Sequence, residues 1–166
     1  MFFSISVNKN KREKKKSRFL IPLMFVFLII ITLCAFLFTR LYCVPEKTEV
    51  SPFGEIDLSA DTQGDREAFF EQFSTTAESF MSCEVTLPEA GEEFEKYREL
   101  QESQGFDISP FAGKSATQYV LKLSEKSENG YPLYGVMTVY GGKVIAVHLT
   151  DYVYPSEYLP LSYLRQ

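Results

Sequence analysis

Histidine is almost missing from this sequence: His148 is the single copy, and cysteine occurs only at positions 34, 43 and 83. So few ligating side chains leave no Cys/His spacing of a metal site. There is no glycine-rich phosphate loop and no histidine–acid–nucleophile set. No metal and no cofactor is expected. Cys34 lies inside an apolar run, so only Cys43 and Cys83 would be placed to pair in an oxidising compartment. Two such cysteines do not make a disulfide scaffold, and Cys43, next to that run, is also placed for reversible acylation.

Basic residues are scarce after the first forty positions. Lys9, Lys11, Arg12, Lys14, Lys15, Lys16, Arg18 and Arg40 are eight of the 17 Lys and Arg, while Glu13 is one of the 22 Asp and Glu. The remainder therefore carries 9 bases against 21 acids, a net charge of −12. Such a surface repels nucleic acid, and that partner is excluded.

What is present is a long apolar run. Phe19–Phe38, FLIPLMFVFLIIITLCAFLF, contains no charge, and roughly 20 helical residues cross a bilayer core. The basic cluster before it places the N-terminus in the cytoplasm and the rest outside. A cleaved signal peptide would have a shorter core and small residues at its cleavage site. The run instead ends LFTRLYCVPE, and bulky residues precede both Cys34 and Cys43, unlike a lipoprotein signal. A buried amphipathic helix would show a polar face, and only Thr32 is polar here. The expected organisation is a basic cytoplasmic tail over 1–18, a transmembrane helix over 19–39, a stalk over 40–64 and an extracytoplasmic domain over 65–166. The lipid bilayer is thus the first expected partner, through Phe19–Phe38, and the cell membrane the expected location.

The stalk reading rests on VPEKTEVSPFGEIDLSADTQGD, rich in Pro, Gly, Ser, Thr and acids without a sustained period. Asp65 then reads as an N-cap for a helix over Arg66–Phe73, with Ala68, Phe69 and Phe73 on one face. Phe80–Leu87 reads as a strand whose inward face is Met81, Cys83, Val85 and Leu87. Thr86 and Glu89 suggest a capping box opening a helix over Pro88–Gln104. Its stripe would be Phe94, Tyr97, Leu100 and Gln101, with Glu92 and Lys96 paired one turn apart. Gly105 supplies a left-handed stop with Phe106 packing back, and Asp107, Ser109 and Pro110 suit a turn.

Three strands follow: one with Thr117, Tyr119, Leu121 and Leu123 on its buried face, then Leu133–Tyr140, then Lys143–Leu149. Gly141-Gly142 is a hairpin turn signal. A regular hairpin there pairs Tyr140 with Lys143, Thr138 with Ile145, Val136 with Val147, and Gly135 with His148. The fold class expected is α+β: a small antiparallel sheet of about four strands with two helices packed on it, preceded by a single transmembrane helix.

Residues 97–123, YRELQESQGFDISPFAGKSATQYVLKL, carry a recognisable pattern. With Tyr97, Leu100, Gln101, Gln104, Gly105, Phe106 and Asp107 in register, the stretch resembles an uncharacterised domain-of-unknown-function family of Gram-positive (Firmicutes-type) bacteria. VTLP at 85–88 and VYGGKVI at 139–145 are similar to its helix opening and its hairpin. The resemblance implies a single-pass protein with an outward domain and brings no known activity. Where the family tends to read Ile-Gly-Gly-Asp, this chain has Ile145-Ala146-Val147-His148, so an acid there is replaced by imidazole.

Candidate binding residues are Gln101, Gln104, Asp107 and His148. The first three surround a glycine turn, either as a ligand-facing rim or as a helix stop whose glutamines bond nearby backbone. His148 is either a titrating group or a strand histidine hydrogen-bonded at a sheet edge. Lys114-Ser115, in a loop, lack the desolvation that serine–lysine catalysis needs. Glu93 and Glu95 belong to a solvated helix face or gather calcium weakly. Tyr152, Tyr154, Tyr158 and Tyr163 either stack on cell-wall sugars or pack over the sheet. The expected role is a non-enzymatic binding module for a protein or envelope ligand. The alternatives are an envelope hydrolase using His148 with a carboxylate, and an outer sensor of a membrane regulatory complex.

Overall fold

The computed structural model describes residues 22, 24–35, 44–153 and 157–165. The chain divides into two compact units, Met1–Cys43 and Val44–Gln166. In the first, residues 24–35 form a helix, α1, with exposed side chains. The hydroxyl of Thr32 donates back to the carbonyls of Leu28 (3.0 Å) and Ile29 (2.9 Å). No helix among the described residues is long and apolar enough to cross a membrane. The ends of the expected span, Phe19–Phe38, lie outside the described residues, as do Cys43 and Tyr154.

The second unit is α+β, with a two-stranded and a four-stranded antiparallel sheet. It begins inside the expected stalk. Strands β1 (Lys47–Val50) and β2 (Gly54–Asp57) form a hairpin, and Val50, Ile56, Leu58 and Ala60 are buried in the main core. The Ser-Pro-Phe-Gly stretch that reads as linker is the turn between them, closed by Phe53 N–H donating to Val50 O at 2.6 Å. Four-residue strands are too short to show a period, so composition alone misassigns them.

Helix α2 (Gln63–Glu71) starts earlier than expected. Its N-cap is Thr62; Asp65 is the reciprocal partner, each side chain bonding the other's backbone N–H in a capping box. Phe69 and Phe70, with Phe73 two residues past the helix end, are buried, whereas Ala68 is exposed. Burying a phenylalanine stabilises by about 1.5–3 kcal/mol, so this triplet is a principal anchor of the helix. It packs with Leu121, Met137 and Leu149 of the large sheet.

That sheet has strand order β3-β4-β5-β6: Ala77–Thr86, Ser115–Lys126, Pro132–Tyr140 and Lys143–Thr150. β3 is an edge strand. Met81 and Cys83, expected to point inward, are exposed, Val85 is half-buried, and only Leu87, just past the strand, is buried. The cause is placement: helix α3 packs against β6, at the opposite edge, and no helix among the described residues covers β3 on that face. A bulge at Phe80 interrupts the pairing of β3 with β4.

α3 spans Glu92–Ser103, shorter than the expected 88–104. Thr86 is still in β3, paired with Ser115, so it cannot cap a helix; Gly91 is the N-cap and makes no side-chain cap bond. The C-terminal end is as expected. Gly105 has φ 96°, Gly105 N–H donates to Glu102 O and Phe106 N–H to Gln101 O, a Schellman stop with Phe106 buried. Glu92 and Lys96 pair at 3.0 Å.

The β5–β6 hairpin turns at Gly141-Gly142, both with positive φ, and pairs Tyr140 with Lys143. Beyond that the expected register is displaced. Ile145 is an extra residue in β6, so Thr138 faces Ala146, Val136 faces His148, and Gly135 faces Leu149. A one-residue shift exchanges the faces. His148 therefore lies on the α3 side of the sheet with Val136, not on the α2 side with Gly135.

Candidate functional site

Helix α3 runs beside β6, and its two glutamines bind that strand rather than a ligand. Gln101 is fully buried, at 0% exposure. Its Nε2 donates to Val147 O and its Oε1 accepts from Val147 N–H, both at 2.9 Å, so a carboxamide pairs with one residue of β6 as a neighbouring strand would. Gln104 Nε2 donates to the same carbonyl at 3.2 Å, and its Oε1 accepts from Leu161 N–H at 2.6 Å. That bond ties the terminal 3₁₀ turn, Leu161–Arg165, to the helix end. Asp107 stands apart and exposed, accepting from Ser109 N–H at 3.0 Å in an Asx turn. Of the four candidates, Gln101 and Gln104 come together, but as structural groups; Asp107 borders a small apolar cavity of ≈130 Å³ and His148 a larger groove.

His148 is on the floor of a groove of ≈320 Å³ between the first turns of α3 and the end of β3. Beside it on the floor are Gln118 from β4 and Val136 and Thr138 from β5, the next two strands in from β6 in the sheet. Leu87, Pro88 and Phe94 make apolar walls, Tyr152 and Tyr158 aromatic ones, and Glu93 lies at the acidic side. The Nδ1 of His148 is 3.2 Å from the hydroxyl of Tyr97. Its ring is held edge-on between Tyr97 (centroids 5.4 Å apart, 88°) and Tyr158 (4.8 Å, 77°). A second aromatic run, Phe80–Tyr134–Tyr152, continues along the same sheet face with centroid spacings of 5.4 and 5.2 Å.

The electrostatics are those of a neutral site. His148 is only 6% exposed, and desolvation lowers its pKa to about 4, so the imidazole is uncharged at neutral pH. Burial pushes the Tyr97 phenol up, against a hydrogen bond from Thr138 that lowers it. Burial also raises Tyr152. The nearest hydrogen-bonding group to the imidazole is a phenol, not a carboxylate, and a base this weak takes up protons poorly at neutral pH.

The other sequence candidates are accounted for by local pairing. Glu93 bonds Lys96 (3.2 Å) and Glu95 bonds Arg98 (2.8 Å). Among the described residues no group of three His, Cys, Asp or Glu is placed to hold a metal ion. Lys114 lies over the rings of Phe111 and Tyr140, at 5.2 and 5.3 Å. Cys83 is exposed and free. A larger cavity of ≈490 Å³ lies between the β4–β5 loop and the C-terminal segment. Its walls include the exposed loop residues Glu128 and Asn129, whereas the His148 groove rests on strand residues held by the sheet.

Tyr97, Gln118 and Thr138 are groove residues that the sequence does not mark as site residues; Tyr97 reads there only as part of the α3 stripe. Gln118 and Thr138 are cross-strand neighbours, and nothing in their spacing announces that. The sequence matches no family model, and no curated protein or solved structure matches it.

Proposed function

We propose that this chain is a single-pass membrane protein, anchored through Phe19–Phe38, whose acidic domain lies outside the cytoplasm and binds an envelope ligand without catalysing its conversion. The apolar run, the basic cluster before it and the −12 charge after it support the anchor and its orientation. The resemblance of residues 97–123 to an outward-facing anchored family agrees with both.

The observation that carries the binding reading is the groove over His148. It combines aromatic walls, apolar ends and a floor of uncharged hydrogen-bonding groups: the Gln118 amide, the Thr138 hydroxyl and the neutral imidazole. Its volume is at the small end of ligand pockets, about 300–1,000 Å³. An uncharged sugar unit of an envelope polysaccharide fits this chemistry. Its apolar ring face stacks on Tyr152 or Tyr158, and its hydroxyls meet the polar floor. The test is titration of the full chain in lipid nanodiscs with neutral soluble oligosaccharides, following the imidazole resonances of His148. Binding that shifts those resonances and weakens at least tenfold in Tyr158→Ala supports the reading. Resonances that stay put with every sugar, or binding indifferent to Tyr158→Ala, would refute it.

A further inference from the structure

The two edges of the four-stranded sheet are finished in opposite ways. Along β6, three different groups close the backbone. Leu58 O accepts from Val144 N–H at 2.8 Å, the Gln101 carboxamide takes both groups of Val147, and Leu159 exchanges two bonds with Leu149. Along β3, no described residue bonds the outer side of the strand.

Open edges invite strand pairing, and proteins ordinarily blunt them with lysine, proline or short length. β3 is 10 residues long, AESFMSCEVT, and contains neither lysine, arginine nor proline. The bulge at Phe80 limits the first part of the strand, but Met81 to Thr86 pair with β4 in unbroken register. The same bulge leaves Phe80 and Met81 adjacent and 59% and 50% exposed, an apolar shelf at the side of the free edge.

We propose that the outer edge of β3, over Met81–Thr86, receives an extended segment of a partner protein bearing lysine or arginine, which adds a fifth strand to the sheet. Charge selects this occupant. The strand's only charged residues are Glu78 and Glu84; Lys122 faces Glu78, whereas Glu84 faces Thr117. The −12 carried by the residues beyond Arg40 adds a long-range attraction for cations. A second copy of this chain fits poorly, because its edge brings two acids and no base. The edge and the His148 groove share Val85 and Thr86, but the edge would be read by backbone exchange along β3 and the groove by the imidazole of His148, so failure of one reading is distinguishable from failure of the other.

The experiment uses the full chain in nanodiscs and three synthetic peptides: one alternating valine and lysine, one alternating valine and glutamate, and a lysine peptide with prolines at positions that must donate to a strand. Backbone hydrogen exchange and affinity are read together. The valine–lysine peptide is expected to slow exchange in Met81–Thr86. Glu84→Lys, an exposed substitution that leaves the fold intact by circular dichroism, should weaken that peptide about tenfold and admit the glutamate peptide. Equal binding of the proline peptide would mean charge adsorption without strand pairing and would overturn the proposal. So would protection confined to the sheet face. Concentration-dependent protection of β3 without any peptide would make a second copy the occupant and overturn it as well.

Discussion

The carboxamide of Gln101 occupies the place of a neighbouring strand, supplying one donor and one acceptor to Val147 at 2.9 Å each. Gln101→Leu keeps the bulk and removes both. The Val147 carbonyl retains Gln104, but its N–H is left buried without a partner, which costs about 1–3 kcal/mol. Urea unfolding should show that loss, and an unchanged midpoint would mean that water or a rearranged side chain replaces the amide. At His148 the sign of the pH effect follows from a folded-state pKa of about 4 below the ordinary 6.5. The unfolded chain binds the proton first, so stability is fully present above pH 6.5 and is lost as pH falls toward 4, by up to about 3 kcal/mol. The groups around the ring are the phenols of Tyr97 and Tyr158, with Glu93 farther out in the groove. The Tyr97 phenol, raised by burial, stays protonated throughout that window. His148→Phe should flatten the slope between pH 4 and 6.5 in thermal unfolding, and a slope unchanged by the substitution would locate the proton elsewhere.

At the scale of elements, the packing of α2 on the sheet depends on a missing side chain. A Cβ on Gly135 would stand 2.1 Å from Phe70 Cζ, so the ring lies directly against the β5 backbone. Gly135→Ala is expected to destabilise by about 1–3 kcal/mol through overpacking. Combined with Phe70→Leu, the loss should be smaller than the sum of the two single losses, since the contact is shared; strict additivity in a double-mutant cycle would disprove the clash. The β1–β2 hairpin belongs to the same layer. A chain shortened to begin at Asp65 discards Val50, Ile56, Leu58 and Ala60 from the main core and also Leu58 O from the β6 edge. It should lose cooperative unfolding altogether, whereas a domain preceded by a mere stalk would keep it.

For the whole molecule, the proposed anchor makes a direct prediction about place. The full chain should stay with membranes through an alkaline wash. Protease added to intact cells should digest the Val44–Gln166 unit while a tag at the N-terminus stays protected. A protected domain with a digested tag would invert the topology, and release by the wash would remove the anchor. The charge division of +6 over the N-terminal tail against −12 beyond Arg40 makes the predicted orientation the electrostatically favoured one.

The elements legible from sequence were those whose cause is local. The Gly105 stop, the Gly141-Gly142 turn, the Glu92–Lys96 pair and the last three strands each depend on residues within a turn or one strand of each other. These choices of backbone and period are made before any layer packs. What the tertiary structure decided depends on which segments become neighbours. It made β3 an edge, so alternation that reads as a buried face is exposed. It enlisted Gln101 and Gln104 to close β6, because a helix lying there faces unpaired peptide groups that must be satisfied. It placed Gln118, Thr138 and His148 side by side from three strands, through a bulge at Ile145 that no local pattern marks. One residue added to a strand exchanges its faces, and here that exchange moves the single histidine from the α2 side of the sheet to the groove.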